Sequence, residues 1–161
     1  MIEWGHMKTA LVSLNVSYIH KNLALRYLMV TKPFDQDATI FEGLCKAPLA
    51  LMDEILAYQP DTVAFSVYIF NIDSTVKLIR ALKKSNPKLK IVAGGPEATH
   101  HPEPLWECGI DGIFRGEAEL VFWDALKGET VEGYQDHPNA KTKVLIADLA
   151  VLETYPSPYF L

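Results

Sequence analysis

The cysteines and histidines are few in this sequence, and their spacing predicts no metal site. The two cysteines, Cys45 and Cys108, are far apart and form neither a CxxC pair nor the spacing of a cluster-ligand set. His100 and His101 are adjacent, so their side chains diverge in most backbones, and no third ligand accompanies them. We expect two reduced, mostly buried thiols and two solvated loop histidines, and we expect His20 to cap or pack.

The stretch KIVAGGPEATHH, residues 90–101, indicates a different kind of site, one made by backbone. Its apolar run ends at Gly94, Gly95 and Pro96, with Glu97 following. A glycine has no Cβ, so it lets the chain turn tightly or lets a ligand approach the backbone amides. The residues alone leave both interpretations open.

Alternating strands and helices would position this stretch. Apolar runs predict strands over 9–15, 38–44, 62–68, 89–93 and 112–115, and helical spacing predicts helices over 22–30, 48–58, 74–84, 103–108 and 117–127. Such alternation is typical of βαβ units and a parallel sheet. The second strand contains the acidic Glu42 and the fifth strand is short, so we expect these two strands at the edges of the sheet. We therefore predict a flavodoxin-like three-layer α/β/α fold with a five-stranded parallel sheet in the order 2-1-3-4-5.

Ligands of open parallel sheets bind beyond the carboxyl ends of the strands. The loops at these ends contain no GxGxxG and no GxxxxGK phosphate loop, and no aspartate ends the third strand as a phospho-receiver requires. They instead combine small uncharged residues, such as Ser66 and the glycine pair, with the apolar bulk of Tyr68–Phe70. This combination suits a large, flat, partly apolar ligand with a polar tail. Two alternatives stay open: residues 68–70 could be core beneath a helix, and Glu117 and Glu119 could be ordinary acids in the first turn of a helix.

Size and composition indicate one globular domain without a nucleic-acid or membrane partner. The chain has 161 residues, 49% of them hydrophobic, and a net charge of −5. It has no apolar run of the roughly 18 residues that span a bilayer, and we expect a cytoplasmic protein. Gly5-His6-Met7 looks like a cloning scar, so residues 1–6 are set aside. We predict a domain over 7–128, then an extension and linker over 129–161 with a possible strand at 144–149.

Four segments in order resemble the N-terminal cobalamin-binding domain of cobalamin-dependent radical SAM enzymes. They are SLNVSYIHKNLALRYL (13–28), FSVYIFNI (65–72), IVAGGPEAT (91–99) and DGIFRGEAELVFWDAL (111–126). The terminal LETYPSPYFL (152–161) is similar to the linker that leads into the radical SAM barrel of that family. The resemblance implies a corrin held at the strand ends, with its nucleotide tail beside Ser66 and the glycine pair.

The resemblance, placed on the predicted strand ends, gives a set of candidate cofactor-binding residues. They are Asn15, Ser17, Tyr18, Ser66, Tyr68, Phe70, Asn71, Gly94, Gly95, Pro96, Glu97, Gly116 and Glu117. The cobalamin domains of mutases and methionine synthases carry Asp-x-His-x-x-Gly after the first strand, with the histidine on cobalt. Here Asn15-Val16-Ser17 stands at that place. The resemblance therefore implies cobalamin bound base-off and without a protein histidine on the metal.

The sequence also lacks the CxxxCxxC loop that would hold a 4Fe–4S cluster. The resemblance thus implies a binding module, with S-adenosylmethionine and the cluster confined to a covalently linked radical SAM domain. In the full protein the cofactor would carry a methyl group or serve another role. Two other interpretations remain: a cofactor-free flavodoxin-like interaction or regulatory domain, and a domain of an enzyme that binds a small nucleotide.

Overall fold

A computed structural model describes residues 7–19 and 21–160, and the sheet at its centre determines where a ligand can bind. Six strands lie in the order β2-β1-β3-β4-β5-β6. Their bounds are β1 Met7–Asn15, β2 Gln36–Leu44, β3 Thr62–Ser66, β4 Lys90–Gly94, β5 Gly112–Phe114 and β6 Tyr134–Gln135. The first five are parallel, which confirms the predicted parallel sheet and its strand order, but β5 does not lie at an edge of the sheet as the sequence predicted. The sixth strand was not predicted, and it pairs antiparallel with β5.

Helices connect these strands on both faces of the sheet. They are α1 Leu23–Val30, α2 Met52–Tyr58, α3 Ile72–Ser85, α4 Pro96–His100, α5 Glu103–Glu107, α6 Phe122–Leu126 and α7 Leu149–Leu152, with 3-10 turns at Pro48–Leu51 and Pro158–Phe160. No helix among the described residues has the length and apolar character that a membrane crossing requires.

Two sequence predictions beyond residue 116 are wrong. The helix predicted over 117–127 begins only at Phe122, so Glu117 and Glu119 do not stand in its first turn. The possible strand at 144–149 does not form, since only Leu145 makes an isolated parallel bridge, to Gly116. The chain turns into α7 instead, because the Asp148 side chain accepts a hydrogen bond from the Ala150 amide at 3.0 Å and so caps that helix.

The core has two parts, one on each face of the sheet, as the alternation of side chains along a strand requires. Val12 of β1 packs with α2, α3 and α5, whereas its neighbour Leu11 packs with α1 and α6. The Trp123 indole donates a hydrogen bond to the Leu28 carbonyl at 2.9 Å and thereby joins α6 to α1. Burying each large apolar side chain contributes about 1.5–3 kcal/mol. The two cores therefore hold the carboxyl ends of β3, β4 and β5 in a fixed arrangement.

Candidate functional site

A cleft of about 400 Å³ opens at the carboxyl ends of β3, β4 and β5, and we call it the strand-end cleft. The residues that line it are Ala24, Leu25, Leu28, Ala64, Phe65, Ser66, Tyr68, Val92, Ala93, Gly94, Gly95, Pro96, Thr99, His100, Phe114, Gly116, Glu117, Ala118, Glu119, Phe122, Val144, Leu145 and Ile146. Its walls are mostly apolar, and its volume lies within the range of small-molecule and cofactor sites. It lies beside the point where the strand order reverses, between β1 and β3.

The cleft brings together part of the predicted site. The candidates that line it are Ser66, Tyr68, Gly94, Gly95, Pro96, Gly116 and Glu117. The candidates that do not are Asn15, Ser17, Tyr18, Phe70, Asn71 and Glu97. The predicted pocket residues after β3, β4 and β5 thus converge, whereas those after β1 lie elsewhere.

The two glycines at the end of β4 have different roles. Gly95 has φ 103° and ψ 176°, a backbone region that essentially only glycine adopts. A Cβ on Gly95 would lie 2.6 Å from the Val67 carbonyl oxygen. Gly94 has no positive φ, and a Cβ there would meet only the Phe114 Cβ within 4 Å, at an ordinary 3.6 Å. Gly95 therefore turns the chain into α4, while Gly94 leaves free space in the wall of the cleft.

Thr99 fixes the floor between the loops that follow β4 and β5. Its hydroxyl donates to the Gly95 carbonyl at 2.9 Å and accepts from the Gly116 amide at 2.9 Å. Gly116 also has a positive φ, of 91°, and a Cβ on it would collide with the Leu145 backbone. Gly116 thus allows residues 144–147 to run alongside the cleft.

Ser66 reaches the cleft as part of a buried network of polar side chains. The Asn22 side-chain amide donates to Ser66 Oγ and to Ser13 Oγ, both at 3.1 Å. The Asn22 Oδ1 atom accepts from the Leu25 amide at 3.0 Å and so caps α1. A hydroxyl that accepts one hydrogen bond retains its proton for another acceptor. Ser66 is therefore a held donor at the cleft wall.

An ion pair anchors this network. Arg26 and Glu42 meet through two hydrogen bonds, of 2.9 and 3.2 Å, and Glu42 Oε1 also accepts from the Asn22 amide at 2.6 Å and from Asn15 Nδ2 at 3.3 Å. Burial alone would raise the pKa of Glu42, but the bonds from Arg26 and the Asn22 amide outweigh it and hold that pKa below its usual value. Sequence reasoning missed Asn22 and Arg26. The available signal was Glu42, an acidic residue in the mostly apolar run over 38–44.

Asn71 supports the loop after β3 and does not line the cleft. It is fully buried, accepts from the Tyr68 amide at 2.8 Å, and donates to the Leu14 and Ser66 carbonyls, both at 3.1 Å. The loop that it holds carries stacked rings, since Tyr68 and Phe70 lie 5.2 Å apart at an interplanar angle of 9°. Phe70 is 51% exposed, so residues 68–70 are not core beneath a helix.

Apolar side chains stand exposed on the loops after β1 and β3. We call Val16, Tyr18, Ile19, Ile69 and Phe70 the apolar rim; Tyr18, Ile19 and Ile69 are each at least 80% exposed. Ser17 is half-buried among them. Exposed apolar groupings of this kind mark surfaces that bind a ligand or a partner.

The two acidic residues after β5 have different surroundings. Glu117 Oε2 accepts a hydrogen bond from the Ala147 amide at 2.6 Å, which attaches the 144–147 segment to the cleft. Glu119 Oε2 is closed off from solvent and has no hydrogen-bond partner among the described residues. Burial, together with the charge of Glu117, raises the pKa of Glu119. Glu119 was not among the predicted site residues.

The histidines offer no metal site in the described part of the chain. His100 ends α4 and lines the cleft, exposed, and His101 is exposed beside Glu97, 3.4 Å from its carboxylate. His20 lies outside the described residues. Within residues 7–19 and 21–160, no three His, Cys, Asp or Glu side chains cluster closely enough to hold a metal ion. Burial raises the pKa of both thiols, Cys45 and Cys108.

Comparison with known families identifies this arrangement. Residues 9–126 match the family described as the B12 binding domain; this range is most of the chain and contains β2 to β5 and all but the first two residues of β1. The chain belongs to the B12-binding domain family. Its relatives include 2-(S-pantetheinyl)-carbapenam-3-carboxylate methyltransferase from Streptantibioticus cattleyicolor, which is 32% identical over 113 residues, or 65% of this chain and 16% of that protein. Another is the cobalamin-dependent radical SAM methyltransferase TokK from Streptomyces tokunonensis, 30% identical over 83 residues, or 50% of this chain and 12% of that protein.

The B12-binding domain described here therefore spans less than a fifth of either methyltransferase. Among solved structures, a cobalamin-binding protein from Desulfitobacterium hafniense DCB-2 superposes with a TM-score of 0.58 at 17% identity, covering 78% of this chain and 60% of that chain. A CheY-like protein, tadZ, from Pseudomonas aeruginosa PAO1 superposes with a TM-score of 0.52 at 15% identity, covering 78% and 98%. At such identities these likenesses support the flavodoxin-like fold alone.

Proposed function

We propose that this chain binds cobalamin, with the nucleotide tail in the strand-end cleft and the corrin ring against the apolar rim. The observation that carries the proposal is the free space at Gly94 in a B12-binding domain. A Cβ there would meet a single neighbour, so that stretch of backbone is open toward a ligand. The apolar walls suit a flat aromatic base, and the held Ser66 hydroxyl suits its polar atoms.

The residues after β1 support the finer proposal that cobalamin binds base-off and without a protein histidine on cobalt. Ser17 stands two residues after Asn15, and a hydroxyl is a weak ligand for cobalt compared with imidazole. Asn15 is buried and bonds toward Ser13 and Glu42, beneath the surface that the rim presents. In this proposal, Tyr18, Ile69 and Phe70 would offer the corrin an apolar surface and exclude water from it.

The wider proposal is that the domain serves a larger enzyme. Both methyltransferase relatives are several times longer than the match, and one of them is named a cobalamin-dependent radical SAM enzyme. We propose a covalently linked radical SAM domain that holds the 4Fe–4S cluster and S-adenosylmethionine. When bound, cobalamin would supply a cobalt centre able to carry a methyl group, while the residues of this chain bind and orient it.

A retention experiment tests the binding proposal. The 161-residue chain is incubated with hydroxocobalamin, freed of excess by gel filtration, and examined by visible spectroscopy. We expect the cobalamin spectrum to elute with the protein. A colourless protein fraction at tens of micromolar chain would reject the proposal and favour the cofactor-free interaction domain, whose partner would use the apolar rim.

A further inference from the structure

A segment outside the matched family range forms part of the wall of the strand-end cleft. The family match ends at residue 126, whereas Val144, Leu145 and Ile146 line the cleft. We call residues 144–147 the strap. The cleft of this chain therefore has a wall that residues 9–126 do not supply.

Two backbone hydrogen bonds dock the strap on the loop that follows β5. The Leu145 amide donates to the Arg115 carbonyl at 3.0 Å, and the Glu117 amide donates to the Leu145 carbonyl at 2.9 Å. A Cβ on Gly116 would collide with the Leu145 backbone, and a Cβ on Gly133 would collide with the Leu145 side chain. Two glycines thus leave the room that Leu145 occupies, so the strap has a fitted seat.

The Glu117 side chain fixes the end of the strap. Its Oε2 atom accepts a hydrogen bond from the Ala147 amide at 2.6 Å, and Ala147 is buried. A hydrogen bond to a carboxylate is stronger than one between neutral groups. Glu117 is therefore a positioning residue, which acts on the cleft by holding the strap beside it.

Ile146 is an apolar side chain that the fold leaves uncovered at the cleft. It is 87% exposed although it lines the cleft, whereas Leu145 lies against Gly133. Side chains alternate along an extended segment, so seating Leu145 against the protein turns Ile146 the other way. A ligand that enters the cleft from solvent can therefore reach Ile146 and cover it, which removes apolar surface from water.

We propose that the strap is a wall of the site for the nucleotide tail, with Ile146 in contact with the tail and Glu117 positioning the strap. This inference rests on the proposed cobalamin binding and adds to it a contact from outside residues 9–126. Gly94 and Ile146 line the same cleft, one from the end of β4 and the other from the strap. The aromatic base of the tail offers the apolar surface that an uncovered isoleucine side chain can pack against.

Binding titrations test the contact at Ile146. Cobalamin and cobinamide, which lacks the nucleotide, are titrated into the parent chain, Ile146→Ala and Leu149→Ala. Leu149 is the matched control, since it is 71% exposed in α7 just beyond the strap and does not line the cleft. We expect Ile146→Ala to weaken cobalamin binding about four- to fifteenfold, the value of one to two buried methylene groups. Leu149→Ala should bind cobalamin like the parent, and all three proteins should bind cobinamide alike.

A second pair of variants tests the positioning role of Glu117. Glutamine retains an oxygen that accepts a hydrogen bond, and alanine does not. In the free protein, hydrogen exchange of the Ala147 amide should be at least about tenfold faster in Glu117→Ala, the value of one hydrogen bond to a charged acceptor. Exchange in Glu117→Gln should be intermediate, and cobalamin affinity should follow the same order. Equal losses of affinity in the two variants would show that the carboxylate acts on the ligand by its charge, and would overturn the positioning role.

The outcomes separate this inference from the function on which it rests. If the parent chain binds neither corrinoid, both fail. If it binds cobalamin, and Ile146→Ala binds cobalamin as tightly or loses affinity for cobinamide equally, only the assignment of the strap fails. Thermal unfolding checks that each variant is folded. If Glu117→Ala does not fold, exchange of the Ala147 amide in the parent decides: slower exchange with cobalamin bound supports the strap, and unchanged exchange overturns it.

Discussion

The two glycines that end β4 can be separated experimentally, because one shapes the cleft and the other shapes the chain. The comparison is Gly94→Val against Gly95→Ala. At Gly94 the first added carbon meets only the Phe114 Cβ, at 3.6 Å, so the strand accepts it. The remaining atoms of valine then occupy the strand-end cleft. Overfilling a packed site costs about 1–3 kcal/mol, which corresponds to binding that is weaker by about five- to 150-fold.

At Gly95 the expected loss is one of stability. The backbone lies at φ 103°, and an added Cβ would lie 2.6 Å from the Val67 carbonyl oxygen and 2.9 Å from its nitrogen. A residue other than glycine in this region costs about 1–3 kcal/mol before the contact with Val67 is counted. For a chain of this size, that is a fall in Tm of at least roughly 2–10 °C.

The assays are thermal unfolding and titration with hydroxocobalamin for each variant, with Gly94→Ala as the matched control of intermediate size. Gly94→Val should unfold within a few degrees of the parent and bind poorly, while Gly94→Ala falls between them. Gly95→Ala should unfold early. If Gly94→Val binds as tightly as the parent, the tail does not lie against Gly94. A Gly95→Ala variant as stable as the parent would contradict the assignment of that residue to the turn.

Two further predictions concern charge and cobalt. The pKa of Glu42 is lowered in the folded state, so its contribution to folding stability is present above the unfolded pKa and is lost as pH falls through the folded pKa. Unfolding monitored by circular dichroism should show this loss of stability at acid pH in the parent and a flatter pH profile in Glu42→Gln. Equal slopes of stability against pH in the two proteins would contradict the prediction. When bound cobalamin is reduced to cobalt(II), its electron paramagnetic resonance spectrum should show no nitrogen superhyperfine splitting, because Ser17 stands where an axial histidine would be expected. Splitting in the parent would contradict this, and its disappearance in His20→Ala or His100→Ala would identify that histidine as the cobalt ligand.

The order of the parallel strands could be predicted because the amino-acid composition of a strand reflects how far the strand is buried. A central strand covered on both faces is mostly apolar, as in Thr62–Ser66, whereas the acidic Glu42 indicated an edge strand. The composition of the sixth strand does not indicate a strand, since this strand is two residues long and lies in a polar segment. What creates it is the packing of the Tyr134 ring against Phe114 and over Gly112, a long-range contact that local sequence does not encode.

The candidate site could be predicted only down to its loops. The two glycines at 94 and 95 predicted either a tight turn or close approach of a ligand to the backbone. Only the φ angle shows that Gly95 makes the turn and that Gly94 leaves the space. Asn71 is a residue type that often binds ligands, and it follows a strand that ends at the cleft. Its three side-chain hydrogen bonds instead join the loop after β3 to Ser66 and to Leu14 of β1. Glu119 was interpreted as an acid in the first turn of a helix, because nothing local shows that α6 begins only at Phe122.

The most direct test of the central claim locates the ligand on the chain. The amide resonances of the nitrogen-15-labelled 161-residue protein are recorded while diamagnetic hydroxocobalamin is added. If the nucleotide tail occupies the strand-end cleft, the largest shifts will fall on the amides around Ser66, Gly94, Gly116 and Leu145, and residues 77–88 on the far half of α3 and beyond will remain unchanged. Saturating cobalamin that leaves those four amides unmoved, or that shifts only residues remote from the strand ends, would contradict the account.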